Sequence, residues 1–188
     1  MRLFFLIFSI VLSLANCFKA QVLSVGIYVT ATDFINKQTK FTPQNHKRYK
    51  VKQQYLFNNH LIKVKNDTNT IVLNTDTLYG YCNPKNQCFR FYKQKTYTIL
   101  NPYETELLLY SFSSLGGYKH SQVSTNYYFS TSTSTQLIAL TVSNLKIAYS
   151  TNFKFCNLLS GYVNTTDDLL NFNTDTKKYL LNTLIQLK

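Results

Sequence analysis

From Lys47 to Lys65 apolar and cationic residues alternate with a period of two, the pattern of a half-buried strand rather than of a helix. The first arm runs from Lys47 to Phe57. Tyr49, Val51, Tyr55 and Phe57 fall at odd positions, and basic or amide residues fall at even ones. Asn58-Asn59 suits the positive φ angles of a tight turn, and His60 to Lys65 alternates again, so the stretch reads as a β-hairpin. A two-residue turn sets Leu56 opposite Leu61, Gln54 opposite Lys63 and Lys52 opposite Lys65 on one side, with Tyr55 opposite Ile62 on the other. Like charges facing each other in a sheet cost roughly 0.2 to 1 kcal/mol, so such a side belongs in water or against an anion. Arg48, Lys50, Lys52, Lys63 and Lys65 are therefore the candidate anion-binding residues.

No acid occurs between Phe34 and Asn66, whereas eight lysines and arginines do. Over the whole chain 20 Lys and Arg stand against 8 Asp and Glu, a formal charge of +12 that draws anionic partners at long range. Two readings of that charge are open. One is binding to an anionic glycan or an acidic lipid surface. The other is compositional drift, because only Arg2, Arg48 and Arg90 are arginine in a chain rich in Lys, Asn, Tyr and Phe. Dedicated phosphate and sulfate clamps favour the forked guanidinium. No motif specific for nucleic acid is present.

Arg2 followed by the uncharged run Leu3 to Ala15 reads as a secretory signal, residues 1–17, with cleavage after Ala15, Cys17 or Ala20. The expectation is a single β-rich domain over residues 18–188, secreted or held within the secretory and endolysosomal pathway. In that oxidising setting Cys82 and Cys88, which bracket the turn-forming Asn83-Pro84-Lys85-Asn86-Gln87, are expected to bridge. A loop so short contributes about 2 kcal/mol on the chain-entropy argument. Cys156 is left with Cys17 or with no partner. Asn66-Asp67-Thr68 and Asn164-Thr165-Thr166 are acceptors for N-linked sugar.

Along the chain, Val22 to Thr30 is expected as an opening strand with Gly26 at a bulge or close approach. Asn69 to Thr75 follows as a strand, and Thr77 to Lys93 as a hairpin pairing Tyr81 with Phe89 and Tyr79 with Phe91 on one face. Tyr97 to Leu100 continues as strand. Asn101-Pro102-Tyr103-Glu104 resembles a helix start, which predicts a helix over about 102–115 ended by Gly116-Gly117; a strand from Glu104 to Phe112 is the alternative. Ser130 to Thr135 is expected to be an exposed hydroxyl-rich loop or edge strand that could carry O-linked sugar. Leu137 to Tyr149 and Thr151 to Leu159 read as strands. Asp167-Asp168 could open a short helix, and Leu180, Leu181, Leu184 and Ile185 have helical spacing, predicting a helix over about 176–187 capped by Asp175. The fold class is mainly β: an antiparallel sandwich or half-barrel built from hairpins, with one or two helices.

Catalytic signals are sparse. His46, His60 and His120 lie in separate stretches, no GxSxG occurs, and the cysteines lack metal-ligand spacing. Glu104 and Glu106 are absorbed by the helix-start reading. The sequence therefore points to a non-catalytic binding protein with no metal and no cofactor. A carrier of a small apolar ligand, lined by Tyr79, Phe89 and Phe91, is the alternative, and a secreted hydrolase of unfamiliar type ranks third. Oligomeric state does not follow from these residues.

Overall fold

The computed structural model describes residues 23–42, 49–53, 60–66, 69–115 and 123–187, the side chains of Gln53, Asn66 and Leu115 excepted. The expected signal segment 1–17 and Cys17 lie outside the described residues. So do Arg48, the Asn58-Asn59 turn, Gly116-Gly117, His46 and His120.

In chain order the elements are β1 (Gly26–Tyr28), α1 (Ala31–Ile35), β2 (Lys50–Gln53), β3 (Leu61–Asn66), β4 (Asn69–Asn74), β5 (Gly80–Cys82), β6 (Cys88–Tyr92) and β7 (Lys95–Ile99). There follow β8 (Leu108–Leu115), β9 (Val123–Ser130), β10 (Ile138–Ala139), α2 (Val142–Ala148), α3 (Phe153–Tyr162), β11 (Phe172–Asn173), β12 (Lys178–Tyr179) and α4 (Leu180–Gln186). The fold is mainly β. A seven-stranded sheet runs in the order β1-β5-β6-β7-β8-β9-β10, and a three-stranded sheet runs β2-β3-β4. Every pairing is antiparallel, including the small β11-β12 hairpin.

Both faces of the large sheet are covered. On one face Tyr81, Phe89 and Phe91 meet Val25, Ile27 and the inner side of the small sheet, Val51, Ile62, Val64 and Leu73, as in a sandwich. Farther along the same face Leu107, Leu109 and Phe129 are covered by Leu145 of α2, Phe155 and Leu159 of α3, and Leu181, Leu184 and Ile185 of α4. The opposite face carries Tyr28, Cys82, Cys88, Tyr97, Ile99, Leu108 and Tyr110, packed with Phe34 of α1 and with Leu137.

Local chemistry explains the first elements. Gly26 sits at φ +148°, and a Cβ there would lie 2.8 Å from Thr39 Cβ, so only glycine lets the Thr39-Lys40 backbone close on β1. Ile27 and Lys40 then exchange hydrogen bonds, Ile27 N–H donating to the Lys40 carbonyl at 3.0 Å and Lys40 N–H to the Ile27 carbonyl at 2.8 Å. Thr30 and Asp33 form a capping box at the start of α1. The Thr30 N–H, donating to Asp33, is the main cause that holds the Asp33 carboxyl below its ordinary range. The cap seats Phe34 edge-on against Tyr28, with ring centroids 5.2 Å apart.

Several expectations from the sequence are corrected. No helix forms over 102–115. Glu104 N–H donates to the Asn101 carbonyl at 3.1 Å, so Asn101-Pro102-Tyr103-Glu104 is a turn, a role for which Asn first and Pro second are equally suited. The Asn101 side chain does not cap a helix. It accepts from Leu109 N–H and donates to the Leu107 carbonyl at 2.7 Å and to Asn182 of α4 at 2.9 Å. Leu107, Leu108, Leu109 and Tyr110 are all fully buried, which a strand covered on both faces permits and a one-sided helix does not.

The expected strands over Leu137–Tyr149 and Thr151–Leu159 are mainly helices, α2 and α3. Thr141 caps the first by accepting from Asn144 N–H at 3.1 Å, and Asn152 caps the second by accepting from Phe155 N–H at 3.0 Å. Phe155 and Leu159, one helical turn apart, face inward, while Phe153 and Ile147 are exposed. The C-terminal helix begins at Leu180 rather than near 176, because β12 occupies Lys178–Tyr179, and Asp175 lies in the preceding turn instead of capping it. The short 3₁₀ turn Asp167–Leu170 matches the Asp167-Asp168 expectation.

Two smaller corrections bear on the core. Tyr81 does face Phe89, ring on ring at 4.7 Å, but Tyr79 crosses to the opposite side of the sheet and packs on Phe34. Ser130 and Thr133 of the hydroxyl run are buried rather than exposed.

Candidate functional site

The small sheet has one apolar side and one cationic side. Ile62 and Val64 are fully buried beneath β3, and Val51 is half-buried beneath β2, so their neighbours Lys50, Lys52, Lys63 and Lys65 point outward and are exposed. The register is Lys50 opposite Lys65 and Lys52 opposite Lys63. The sequence had placed Lys65 opposite Lys52, so the pairing is displaced by two residues. A slip of two keeps every side chain on its side, where a slip of one would have turned the lysines inward. Four of the five expected cations are thus gathered on one surface; Arg48 lies outside the described residues.

That surface continues onto β4 through Thr70 opposite Lys65 and Val72 opposite Lys63, both exposed. Among its described residues it carries no carboxylate. Among the described residues the salt bridge is Lys178 with Glu104, at 3.9 Å, on another part of the molecule.

Along β2 the surface borders a groove of about 470 Å³. Tyr49, Lys50, Val51 and Lys52 form one wall, and Tyr81, Asn83, Pro84 and Lys85 form the other. The second wall is built by the expected disulfide, since Cys82 and Cys88 are joined. Within that turn the Asn83 side chain accepts from Lys85 N–H at 2.9 Å and Gln87 N–H at 3.1 Å, and donates to the Gln87 side chain at 2.9 Å. Asn86 takes φ +60°, as asparagine tolerates. Lys85, exposed at the tip, was not among the expected site residues. Its place in an Asn-Pro turn marked it as surface, but its nearness to β2 follows from the packing of one sheet on the other. Tyr49 is buried with its hydroxyl unpartnered among the described residues, and burial, then Tyr81 and Tyr28, raise its phenol well above the ordinary range.

A second cation is handled in the opposite way. Arg90, midway along β6, is 5% exposed. Its guanidinium lies 5.2, 5.4 and 5.6 Å from the ring centroids of Tyr79, Tyr92 and Tyr110. It donates to the Tyr110 hydroxyl at 3.1 Å and to the Thr135 carbonyl at 2.8 Å. The Tyr110 hydroxyl also bonds Ser130 Oγ at 2.9 Å, and Ser130 Oγ donates to the Ser132 carbonyl at 2.7 Å. This explains why the hydroxyl run folds inward. Burial raises the Tyr79 phenol most; Tyr110 adds to the effect and Arg90 opposes it.

The other expected residues are dispersed. Phe89 and Phe91 pack against Tyr81, and Tyr79 packs on the far face, so the three do not converge on one lining. Glu104 is engaged by Lys178 and by the Gln186 side chain at 3.2 Å, beside a hollow of about 320 Å³ near Tyr103 and Phe172. The Glu106 carbonyl accepts from the Tyr149 hydroxyl at 2.6 Å. His60 serves through its carbonyl, which accepts from Thr75 N–H at 2.7 Å. Cys156 on α3 is a free, half-buried thiol. Asn164 is exposed in a turn where Asp168 accepts from Asn164 N–H at 2.9 Å and Thr165 N–H at 2.7 Å. Asn66 ends β3 opposite Asn69.

Among the described residues no three His, Cys, Asp or Glu side chains group as metal ligands, and no helix is long and apolar enough to cross a membrane. No protein-family model, no curated protein and no solved structure matches the chain.

Proposed function

We propose that the chain is an exported, N-glycosylated binding protein that contacts an anionic glycan through the outer side of the small sheet. The observation that carries this reading is the pair of cross-strand lysine pairs, Lys50 with Lys65 and Lys52 with Lys63, exposed with no acid among the described residues of the same surface. Four ammonium groups held in a two-by-two array repel one another, and a polyanion relieves that repulsion while releasing its own counter-ions. Lysines act as point charges without the forked geometry of arginine, so binding is multivalent, weakly selective and strongly salt-dependent. A glycan bearing sulfate or carboxylate is preferred to a lipid surface because, among the described residues, Val72, at 50% exposed, is the large exposed apolar side chain that the array offers for insertion. Asn66 and Asn164 are the sites assigned to sugar.

The test is retention of the mature protein on immobilised heparin and, separately, on vesicles containing phosphatidylserine, across a salt series. With Lys50, Lys52, Lys63 and Lys65 all changed to Gln, elution from heparin moves to markedly lower salt. Unchanged retention removes the reading. Retention on vesicles but not on heparin transfers the site to a lipid surface.

A further inference from the structure

We infer that the outer edge of β2 accepts an extended acidic segment of another polypeptide as an added strand, with the adjoining groove receiving its carboxylates. This goes beyond the glycan reading, with which it shares Lys50 and Lys52 but no other residue.

Among the described residues β2 is the outermost strand of its sheet. Among the described residues, no backbone hydrogen bond from outside that sheet reaches Tyr49 to Gln53. An edge of this kind presents a row of N–H and C=O groups ready to pair with another chain. The groove follows Tyr49 and the first three residues of β2, Lys50 to Lys52, a run of about 13 Å at strand spacing. That length accommodates a short extended segment.

The charge selects the occupant. Lys50 and Lys52 rim one wall and Lys85 the other, and among the described residues no acid lines the groove. Lysines beside an edge normally repel stray strands. On a chain of net charge +12 they repel a second copy most of all. They admit a strand whose alternate side chains are Asp or Glu, because those carboxylates meet ammonium groups from both walls. Tyr49, which also lines the groove, brings a buried hydroxyl with no partner among the described residues. Apolar alternate residues of the incoming strand would lie toward Val51 and Tyr81. Backbone pairing supplies affinity and the lysines supply the sign of the charge.

The probe is a fluorescein-labelled alternating Glu-Val peptide about eight residues long, followed by anisotropy against the full chain. Two companion peptides accompany it: one N-methylated at alternate residues, which keeps its charge but loses the ladder donors, and one with Lys in place of Glu. Saturable binding of the Glu-Val peptide, weakened about tenfold or more by N-methylation on the ladder side and abolished by the Lys replacement, is the expected result. Lys85→Gln should weaken the peptide about threefold and leave heparin retention unchanged. Lys63→Gln with Lys65→Gln should lower heparin retention and leave the peptide within about twofold. Equal affinity of the N-methylated peptide would show attraction by charge alone and overturn the strand assignment. Insensitivity to Lys85→Gln would remove the groove, and self-association without peptide binding would give the edge to a second copy. Each of these failures is independent of the glycan result.

Discussion

The small sheet and the middle of β6 meet the same difficulty, a positive charge with no carboxylate beside it among the described residues, and resolve it in opposite ways. Lys50, Lys52, Lys63 and Lys65 stand in water, where mutual repulsion is screened and costs little. Arg90 is enclosed, and three tyrosine rings, one hydroxyl and one carbonyl take the place of solvent. The contrast follows from side-chain chemistry. A guanidinium is planar and weakly hydrated, so it can lie between aromatic faces, whereas an ammonium gives up strong hydration when buried. The lysine array is accordingly free to take a partner, and Arg90 is committed to the fold.

The contrast is put at risk first by alkali, which should have the largest effect. Burial pushes the Tyr28 phenol up to about 12, and Tyr79, Tyr49 and Tyr149 are also raised. Unfolded tyrosines titrate near 10, so above that pH the unfolded chain sheds protons that the folded chain keeps. Stability is therefore fully present below about pH 10 and falls as pH rises toward the folded value. The melting temperature should drop steeply between about pH 9.5 and 11.5, together with the rise of tyrosinate absorbance. A flat profile would mean that Tyr28, Tyr49, Tyr79 and Tyr149 are not sealed from water.

Next in size is Arg90→Ala, which removes two hydrogen bonds and three ring contacts and leaves a void. A loss of about 3 kcal/mol in urea unfolding is expected, with Arg90→Lys intermediate. A loss below about 0.5 kcal/mol would make Arg90 as dispensable as a surface lysine.

Tyr79→Phe is expected to act with the opposite sign. The Tyr79 hydroxyl has no hydrogen-bond partner among the described residues, so deleting it should leave stability unchanged or raise it by about 1 kcal/mol. Smallest is the quadruple change of Lys50, Lys52, Lys63 and Lys65 to Gln. Relief of like-charge repulsion should stabilise by less than about 1 kcal/mol, and the gain should vanish near 1 M salt. A large loss instead would mean that these lysines hold the sheet together.

The parts that were legible from the chain are those written at short range. The turn between Cys82 and Cys88, the Tyr81-Phe89 pair, the close approach at Gly26 and the outward side of the lysines all depend on neighbours within a few residues or on strict alternation. The register of β2 on β3 was not legible, because it depends on the fit of Ile62 and Val64 to the large sheet. Asn101-Pro102 is ambiguous locally, since the same pair opens helices and turns. What decides it is the burial of Leu107 to Tyr110 between two layers of side chains. The apolar run near Leu145 reads as strand in the sequence, although Thr141 and Asn152 suit helix caps and Phe155 and Leu159 an inward pair one turn apart. The competing signal, a dense run of apolar residues, carried no period of its own.

Arg90 and Lys85 mark the boundary most clearly. By itself the sequence determined that alternation would sort lysines to one side of a sheet and that two cysteines would close a turn, because both outcomes are settled by backbone geometry over a handful of bonds. Only the tertiary structure decided that Arg90 is enclosed by Tyr79, Tyr92 and Tyr110 while Lys85 stands across a groove from Lys50 and Lys52. Contacts between residues far apart in the chain depend on how sheets and helices stack, and a side chain's polarity alone does not say whether water or tyrosine will surround it.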